Sequence, residues 1–179
     1  HLLVSCAGGV TAQVELPLSF ETGDGEKYVI SVSGLMGGHS GVEIDKGRAN
    51  ACQILGRALY ELHKEIPFSL CSLNGGLKDN AIPRQAEAVI VCPEKWQSEI
   101  NTKIAEISSE IKHEFLETDP LILVEVKKTT IVEKELAMTK DSADKMITAL
   151  LCLPGGIQKM SFQMKGLVQT SLNLGIMKT

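Results

Sequence analysis

The sequence has few aromatic residues, few cysteines and no long hydrophobic run. Aromatic residues make up 4% of the 179 residues, and the five cysteines contain no Cys-x-x-Cys pair. An odd number of scattered cysteines favours neither a disulfide framework nor a zinc knuckle, and a reducing cytoplasm fits it best. The apolar runs, such as Ala149–Pro154, are far shorter than the roughly 20 residues that span a bilayer. We therefore expect no membrane partner.

Positive charge is not in excess either. Eighteen Lys and Arg residues against 22 Asp and Glu residues give a net charge of -4. Without a basic stripe to follow a phosphate backbone, nucleic acid is not an expected partner. The hydrophobic fraction of 44% and the charged fraction of 22% are ordinary for a globular protein and exclude a disordered or collagen-like chain. We expect one domain over residues 1–179.

A complete catalytic motif is also missing. The four histidines lie on different predicted elements without a chelating spacing, and no nucleophile elbow, Walker loop or Rossmann fingerprint occurs. We therefore expect no metal site within this chain.

The chain starts at His1, without a signal-peptide pattern, and ends at Thr179 directly after a strand-like run. Both ends indicate a segment of a longer protein, the alternative being a natural domain with a trimmed tag.

Hydrophobic patterning predicts the order β-α-β-β-α-β between residues 26 and 128. This order is typical of the ferredoxin-like split βαβ fold, so we predict an α/β (α+β) domain with an antiparallel sheet and packed helices. The predicted elements are strands over Tyr28–Val32, Phe68–Leu73, Gln85–Cys92 and Leu121–Val126, a helix of about 24 residues between Gly38 and Pro67, and a helix with an apolar stripe from Trp96 to Phe115.

Residues 139–177 are predicted to extend this unit by a helix and a strand. Asp141–Leu151 has helical apolar spacing, with Leu151 on the buried face, and ends before a Pro-Gly-Gly sequence. The alternating pattern of Leu167–Met177 predicts one strand with one buried face and one solvent-exposed face. Its buried face is expected to carry Val168, Thr170, Leu172, Leu174 and Ile176. Residues 1–20, which include the strand-like Leu2-Leu3-Val4, are predicted to be connecting strands.

Two glycine-containing loops are the candidate sites. In Gly37–Gly41 the glycines allow a tight turn close to a ligand, and Ser40 is a candidate helix N-cap. His39 would then project from a helix N-terminus, which suits an anion or a developing oxyanion. A surface or capping role for His39 is the alternative interpretation.

The second candidate loop, Gly75–Arg84, joins two predicted strands. Asn80 offers both a donor and an acceptor, Pro83 stiffens the exit, and Arg84 supplies a forked cation that suits a carboxylate. Such a loop can hold the end of a peptide. The same residues are also compatible with a plain turn.

Four motifs, in this order along the chain, together resemble one family. They are Ser33–Ile44, Arg48–Ala51, Asn80–Arg84 and Gly166–Gly175. These segments closely resemble the aminoacyl-histidine dipeptidases, which are zinc metallopeptidases related to carnosinase and peptidase T. Cys6–Gly9 is similar to the place where that family's chain leaves its catalytic domain.

The resemblance implies that the chain is only the lid, or dimerisation, domain of such an enzyme. The catalytic domain, with two zinc ions and a Glu general base, would then lie outside residues 1–179, and this chain alone would be inactive. The whole enzyme would be a cytosolic homodimer that hydrolyses Xaa-His or other short dipeptides. The family's lid continues into a further strand carrying an arginine, so the run Leu167–Met177 would be left partly unpaired here.

The same resemblance implies roles for four residues. His39 would be catalytic and would stabilise the oxyanion in the partner subunit's active site. Asn80, Arg84 and Gly38 would bind the substrate.

Two other functions fit the residues without the resemblance. One is a free-standing ferredoxin-like module that holds a small anion at the Gly37–Gly41 helix start, and the other is a purely structural oligomerisation domain.

Overall fold

The structure is a computed structural model that describes residues 8–129 and 136–179. The predicted strand at Leu2-Leu3-Val4 and the first half of Cys6–Gly9 lie outside the described residues. Residues 8–19 form neither helix nor strand, so the prediction of connecting strands there is wrong. The strands are β1 Phe20–Thr22, β2 Glu26–Ser33, β3 Gly38–His39, β4 Ser69–Gly75, β5 Ala81–Ile82, β6 Ala86–Cys92, β7 Leu123–Lys128, β8 Leu136–Met138, β9 Gly156–Met160, β10 Val168–Leu172 and β11 Met177–Lys178. The helices are α1 Ala51–His63, α2 Gln97–Glu114 and α3 Lys140–Cys152.

A five-stranded antiparallel sheet with the order β11-β4-β6-β2-β7 forms the centre of the fold. Without β11, this is the strand order of a ferredoxin-like β-α-β-β-α-β unit, and the predicted fold class is confirmed. Alternation within β2 explains its position, because Tyr28, Ile30 and Val32 are buried while the residues between them are partly exposed. Among the residues described, smaller two-stranded sheets pair β1 with β8, β3 with β5, and β9 with β10.

Helices α1 and α2 contact this sheet, and α3 packs on α1. The apolar stripe predicted for α2 is confirmed, since its isoleucines at positions 100, 104, 107 and 111 are buried. Each such side chain contributes roughly 1.5–3 kcal/mol relative to an exposed position. Leu151, expected on the buried face of α3, is instead 39% exposed. In the described part of the chain no helix is both long and apolar enough to cross a membrane.

The helix of about 24 residues predicted before Pro67 is wrong. The region contains a short 3-10 helix, Ile44–Lys46, and α1 begins only at Ala51. Gly47 ends the 3-10 helix with a left-handed φ of 64°. Asn50 has an extended backbone, and its side-chain oxygen accepts hydrogen bonds from the N–H groups of Cys52 and Gln53. Asn50 is therefore the N-cap that sets the start of α1.

The single strand predicted over Leu167–Met177 is also wrong. β10 pairs with β9, which the sequence pattern did not predict, and β11 pairs with β4 at the edge of the central sheet. Leu172 and Ile176, expected inside, are 43% and 52% exposed. The alternation breaks because the Asn173 side chain binds the backbone of another loop, so the residues between β10 and β11 follow that loop instead of a neighbouring strand.

Candidate functional site

The two candidate loops meet in space. Strand β3 pairs antiparallel with β5, which places Gly38 opposite Ile82 and His39 opposite Ala81. The N–H of Ser40 donates a hydrogen bond of 3.0 Å to the carbonyl of Asn80. His39 and Asn80, which the sequence pattern assigned to separate loops, therefore lie on neighbouring segments of one site.

His39 does not lie at a helix N-terminus, and that prediction is corrected. It belongs to β3, and Ser40 lies in a turn, so Ser40 caps no helix. At the start of α1, the N–H groups of Cys52 and Gln53 are already bonded to the Asn50 side chain. Gly37–Gly41 is therefore not the start of a helix, which is the feature on which an anion-binding module at this segment depends.

The His39 ring is held by the turn that follows it. Its Nδ1 accepts the N–H of Gly41 at 3.0 Å and lies 3.4 Å from the N–H donor of Val42. A ring nitrogen that accepts a hydrogen bond carries no proton, so the neutral imidazole has its proton on Nε2. The residue is exposed. His39 thus presents an N–H donor outward from the chain.

The backbone around Asn80 is fixed by Asn173. The Asn173 side-chain nitrogen donates to the carbonyl of Asp79 at 3.2 Å and to that of Ala81 at 2.9 Å. The Asn80 side chain is exposed and has no hydrogen-bond partner within residues 8–129 and 136–179. Its amide is therefore available to a ligand. Asn173 lies in one of the motifs that resemble the dipeptidases, but the sequence does not predict its role, because a contact across 92 positions leaves no local signal.

Arg84 and Gly38 belong to the same paired loops, Gly38 in β3 and Arg84 just after β5. Arg84 donates from Nε to the carbonyl of Leu35 at 3.1 Å, and its Nη groups have no partner among the described residues. Gly38 has a φ of 142°, and a Cβ at this position would lie 2.7 Å from the guanidinium of Arg48. A side chain does not fit there unless its neighbours move.

Glu43 contacts the backbone of His39 directly. Its Oε2 accepts the N–H of His39 at 2.9 Å, and its Oε1 lies 2.5 Å from Lys46 Nζ and 3.3 Å from Arg48 Nη1. The hydrogen bond from Lys46, followed by that from the His39 N–H, lowers the pKa of Glu43 to about 2. The carboxylate is ionised at neutral pH.

Asp119 connects the His39 loop to the protein interior. It is fully buried, and its two oxygens accept the N–H groups of Met36 at 2.7 Å and Ala49 at 2.8 Å. These bonds tie the chain before His39 and the chain before α1 to the end of α2. The sequence pattern does not predict this role of Asp119, because an Asp before Pro120 at a helix exit is typical of an ordinary turn.

The described residues hold no group of three His, Cys, Asp or Glu side chains that could bind a metal ion. A cleft beside α1 is lined by the polar side chains of Arg48, Asn50, Gln53 and Arg57 together with apolar ones, but neither His39 nor Asn80 lines it. We assign the candidate site to the paired loops because the exposed polar side chains of His39, Asn80 and Arg84 lie on these neighbouring segments.

Comparison with known proteins gives three findings. The family model described as the peptidase dimerisation domain matches residues 30–119, which include both paired loops and Asp119. The cytosol non-specific dipeptidase of Escherichia coli (strain K12) is 31% identical over 183 residues, covering 98% of this chain and 36% of that protein. The crystal structure of aminoacylhistidine dipeptidase from Vibrio alginolyticus has a TM-score of 0.82 and 28% identity, covering 94% of this chain and 33% of that chain. The chain thus spans about a third of the length of these relatives.

Proposed function

The chain belongs to the M20 peptidase dimerisation domain family, and on that premise we propose that residues 1–179 form the lid and dimerisation domain of a zinc dipeptidase. The proposed substrates are Xaa-His and other short dipeptides. The names of both relatives, each a dipeptidase, support the activity, and the name of the E. coli relative supports a cytosolic location. Because those proteins are about three times as long, we propose that the catalytic domain lies in segments outside this chain.

The role proposed for His39 is to stabilise the oxyanion during peptide hydrolysis. The observation that carries this role is that Nδ1 accepts backbone N–H groups, which leaves Nε2–H as the donor. The carbonyl oxygen of a peptide gains negative charge in the transition state, and one oriented donor accelerates such reactions about 10²–10³-fold. Because His39 is exposed, it can donate to a substrate bound on another surface, which in this proposal is the partner subunit's active site.

Asn80, Arg84 and Gly38 are proposed to bind the dipeptide. The exposed amide of Asn80 can donate to and accept from a peptide group, and the Nη groups of Arg84 can form paired hydrogen bonds to a carboxylate. Gly38 leaves the surface beside His39 without a side chain.

The zinc ions of the proposed enzyme are not assigned to this chain. The described residues offer no suitable cluster of ligands, so they do not fit a zinc ion. The share of the reaction assigned to this chain is substrate binding and stabilisation of charge by hydrogen bonds.

A homodimer is the proposed assembly. Within the described part of the chain, β7 pairs with no strand other than β2, so the β7 edge of the central sheet is open to a further strand, although its Val124 N–H donates to the Ser108 hydroxyl at 3.1 Å. Proteins usually cover exposed strand edges because such edges pair with other chains, and a second copy of this chain would cover the β7 edge. Sedimentation equilibrium of the chain tests this, and a purely monomeric distribution at all concentrations would contradict it.

Activity of the full-length enzyme that contains this chain tests the role of His39. His39→Ala is expected to lower kcat about 10²-fold or more, because an oriented donor is lost. His113→Ala, at another exposed histidine, is the matched control and is expected to leave kcat unchanged. Unchanged turnover in His39→Ala would instead support a purely structural oligomerisation domain.

A further inference from the structure

The backbone of the segment that carries His39 is held by contacts other than those of a regular helix or strand. Strand β3 is only two residues long, and Gly37 just before it and Gly38, its first residue, have φ values of 63° and 142°. Glycine loses more conformational freedom on folding than any other residue, so such a segment is ordered only by contacts that hold its backbone.

Glu43 holds the backbone of His39 at both polar groups. The Oε2 atom of Glu43 accepts the His39 N–H at 2.9 Å, while the Glu43 N–H donates to the His39 carbonyl at 2.9 Å. These two bonds close a ring over residues 39–43. Gly41 and Val42, whose N–H groups face Nδ1 of His39, lie inside that ring.

The Glu43 carboxylate is itself fixed by two cations. Its Oε1 atom contacts Lys46 and Arg48, and the same Nη1 of Arg48 donates to the carbonyl of Gly37. The two carboxylate oxygens thus have separate partners: Oε1 contacts the two cations, and Oε2 accepts the His39 N–H. Arg48 joins the carboxylate to the chain before His39.

Gly38 makes this arrangement possible. A Cβ at position 38 would lie 2.8 Å from the Oε2 atom of Glu43, the same oxygen that accepts the His39 N–H. A side chain there would push the carboxylate away from His39. The absence of a side chain at Gly38 is therefore explained by the approach of Glu43.

We propose that Glu43 is a positioning residue for His39. Its carboxylate shapes the turn so that the N–H groups of Gly41 and Val42 meet Nδ1, and the ring donates from Nε2. The catalytic consequence rests on the proposed function of His39, whereas the positioning is a property of this chain and is measurable without activity.

Nitrogen-15 NMR of the His39 ring and hydrogen exchange of its amide test the positioning. In the unaltered chain, the neutral ring is expected to carry its proton on Nε2. Glu43→Ala is expected to introduce the Nδ1–H form and to speed exchange of the His39 amide about 10-fold or more, since that amide loses its acceptor. Glu43→Gln keeps an oxygen for the amide and is expected to restore part of the protection.

Glu61 provides the matched control. It forms an exposed ion pair with Lys64 at the same i,i+3 spacing as Glu43 with Lys46. Glu61→Ala is expected to leave the ring tautomer and the His39 amide unchanged. Equal tautomer populations and equal His39 exchange in Glu43→Ala and Glu61→Ala would overturn the proposal.

Kinetics of the full-length enzyme distinguish this proposal from the proposed function. If both hold, Glu43→Gln lowers kcat about 10-fold and changes KM little, because the ring donates mainly in the transition state. If His39→Ala leaves turnover unchanged while the NMR result is as expected, the proposed function fails and the positioning stands. If His39→Ala lowers turnover but Glu43→Ala changes neither the tautomer of the His39 ring nor the exchange of its amide, the positioning role of Glu43 fails while the proposed function stands.

Discussion

The side chains of Asn50 and Asn173 hydrogen-bond to each other, with 3.2 Å between Nδ2 of the first and Oδ1 of the second, across 123 positions of sequence. Asn50 also caps α1, and Asn173 also holds the backbone on both sides of Asn80. One pair of amides thus joins the start of α1, the segment between β10 and β11, and the Asn80 loop.

Asn173→Ala is expected to loosen the Asn80 loop. The change removes both hydrogen bonds to the loop and one to Asn50, so we expect the free energy of unfolding to fall by about 1–3 kcal/mol. Urea denaturation measures the loss. Asn101→Ala, on the exposed face of α2, is the control and is expected to change stability by less than about 0.5 kcal/mol. Equal effects of the two changes would contradict this role for Asn173.

Asp119→Ala is expected to destabilise the chain by at least about 2 kcal/mol, because two N–H groups held by a buried carboxylate lose their acceptors. Asp119→Asn keeps one acceptor oxygen and is expected to cost less. Thermal unfolding compares both with Asp45→Ala, an exposed aspartate in the same region. A melting temperature of Asp119→Ala equal to that of Asp45→Ala would show that Asp119 does not hold the loops.

The tautomer of His39 is expected to differ from that of His113. His39 accepts N–H groups at Nδ1, whereas the exposed ring of His113 has no hydrogen-bond partner in residues 8–129 and 136–179. Two-bond proton–nitrogen spectra of the neutral rings should therefore show one form for His39 and a mixture for His113. A similar mixture at both residues would contradict the geometry of the turn.

The contacts of Glu43 are expected to persist well below the pH at which an ordinary glutamate titrates. Folding lowers its pKa from 4.5 to about 2, so these contacts contribute stability above pH 4.5 and lose it as the pH falls through about 2. The chemical shift of the His39 amide proton should change little between about pH 5 and pH 3. Glu43→Gln should remove any change at lower pH. A midpoint near 4.5 in the unaltered chain would show that the carboxylate is not held.

The local sequence pattern determined the fold class and several elements. The alternation in β2 and the apolar stripe of α2 were predictable, because the buried side chains of a strand or a helix repeat with a fixed local period. The start of α1 was not, since a glycine with left-handed backbone and a capping Asn50 interrupted a run that otherwise has helical spacing. Tertiary pairing also split the final run into β10 and β11.

The candidate residues were visible in the sequence, but their assembly was not. Glycine-rich and polar loops identified His39, Asn80 and Arg84, since those residue types are unusual between buried strands. Only the tertiary structure paired β3 with β5 and brought Asn173 to the Asn80 loop. Hydrogen bonds between positions so far apart depend on how the whole core packs, and no local period of the sequence records that packing.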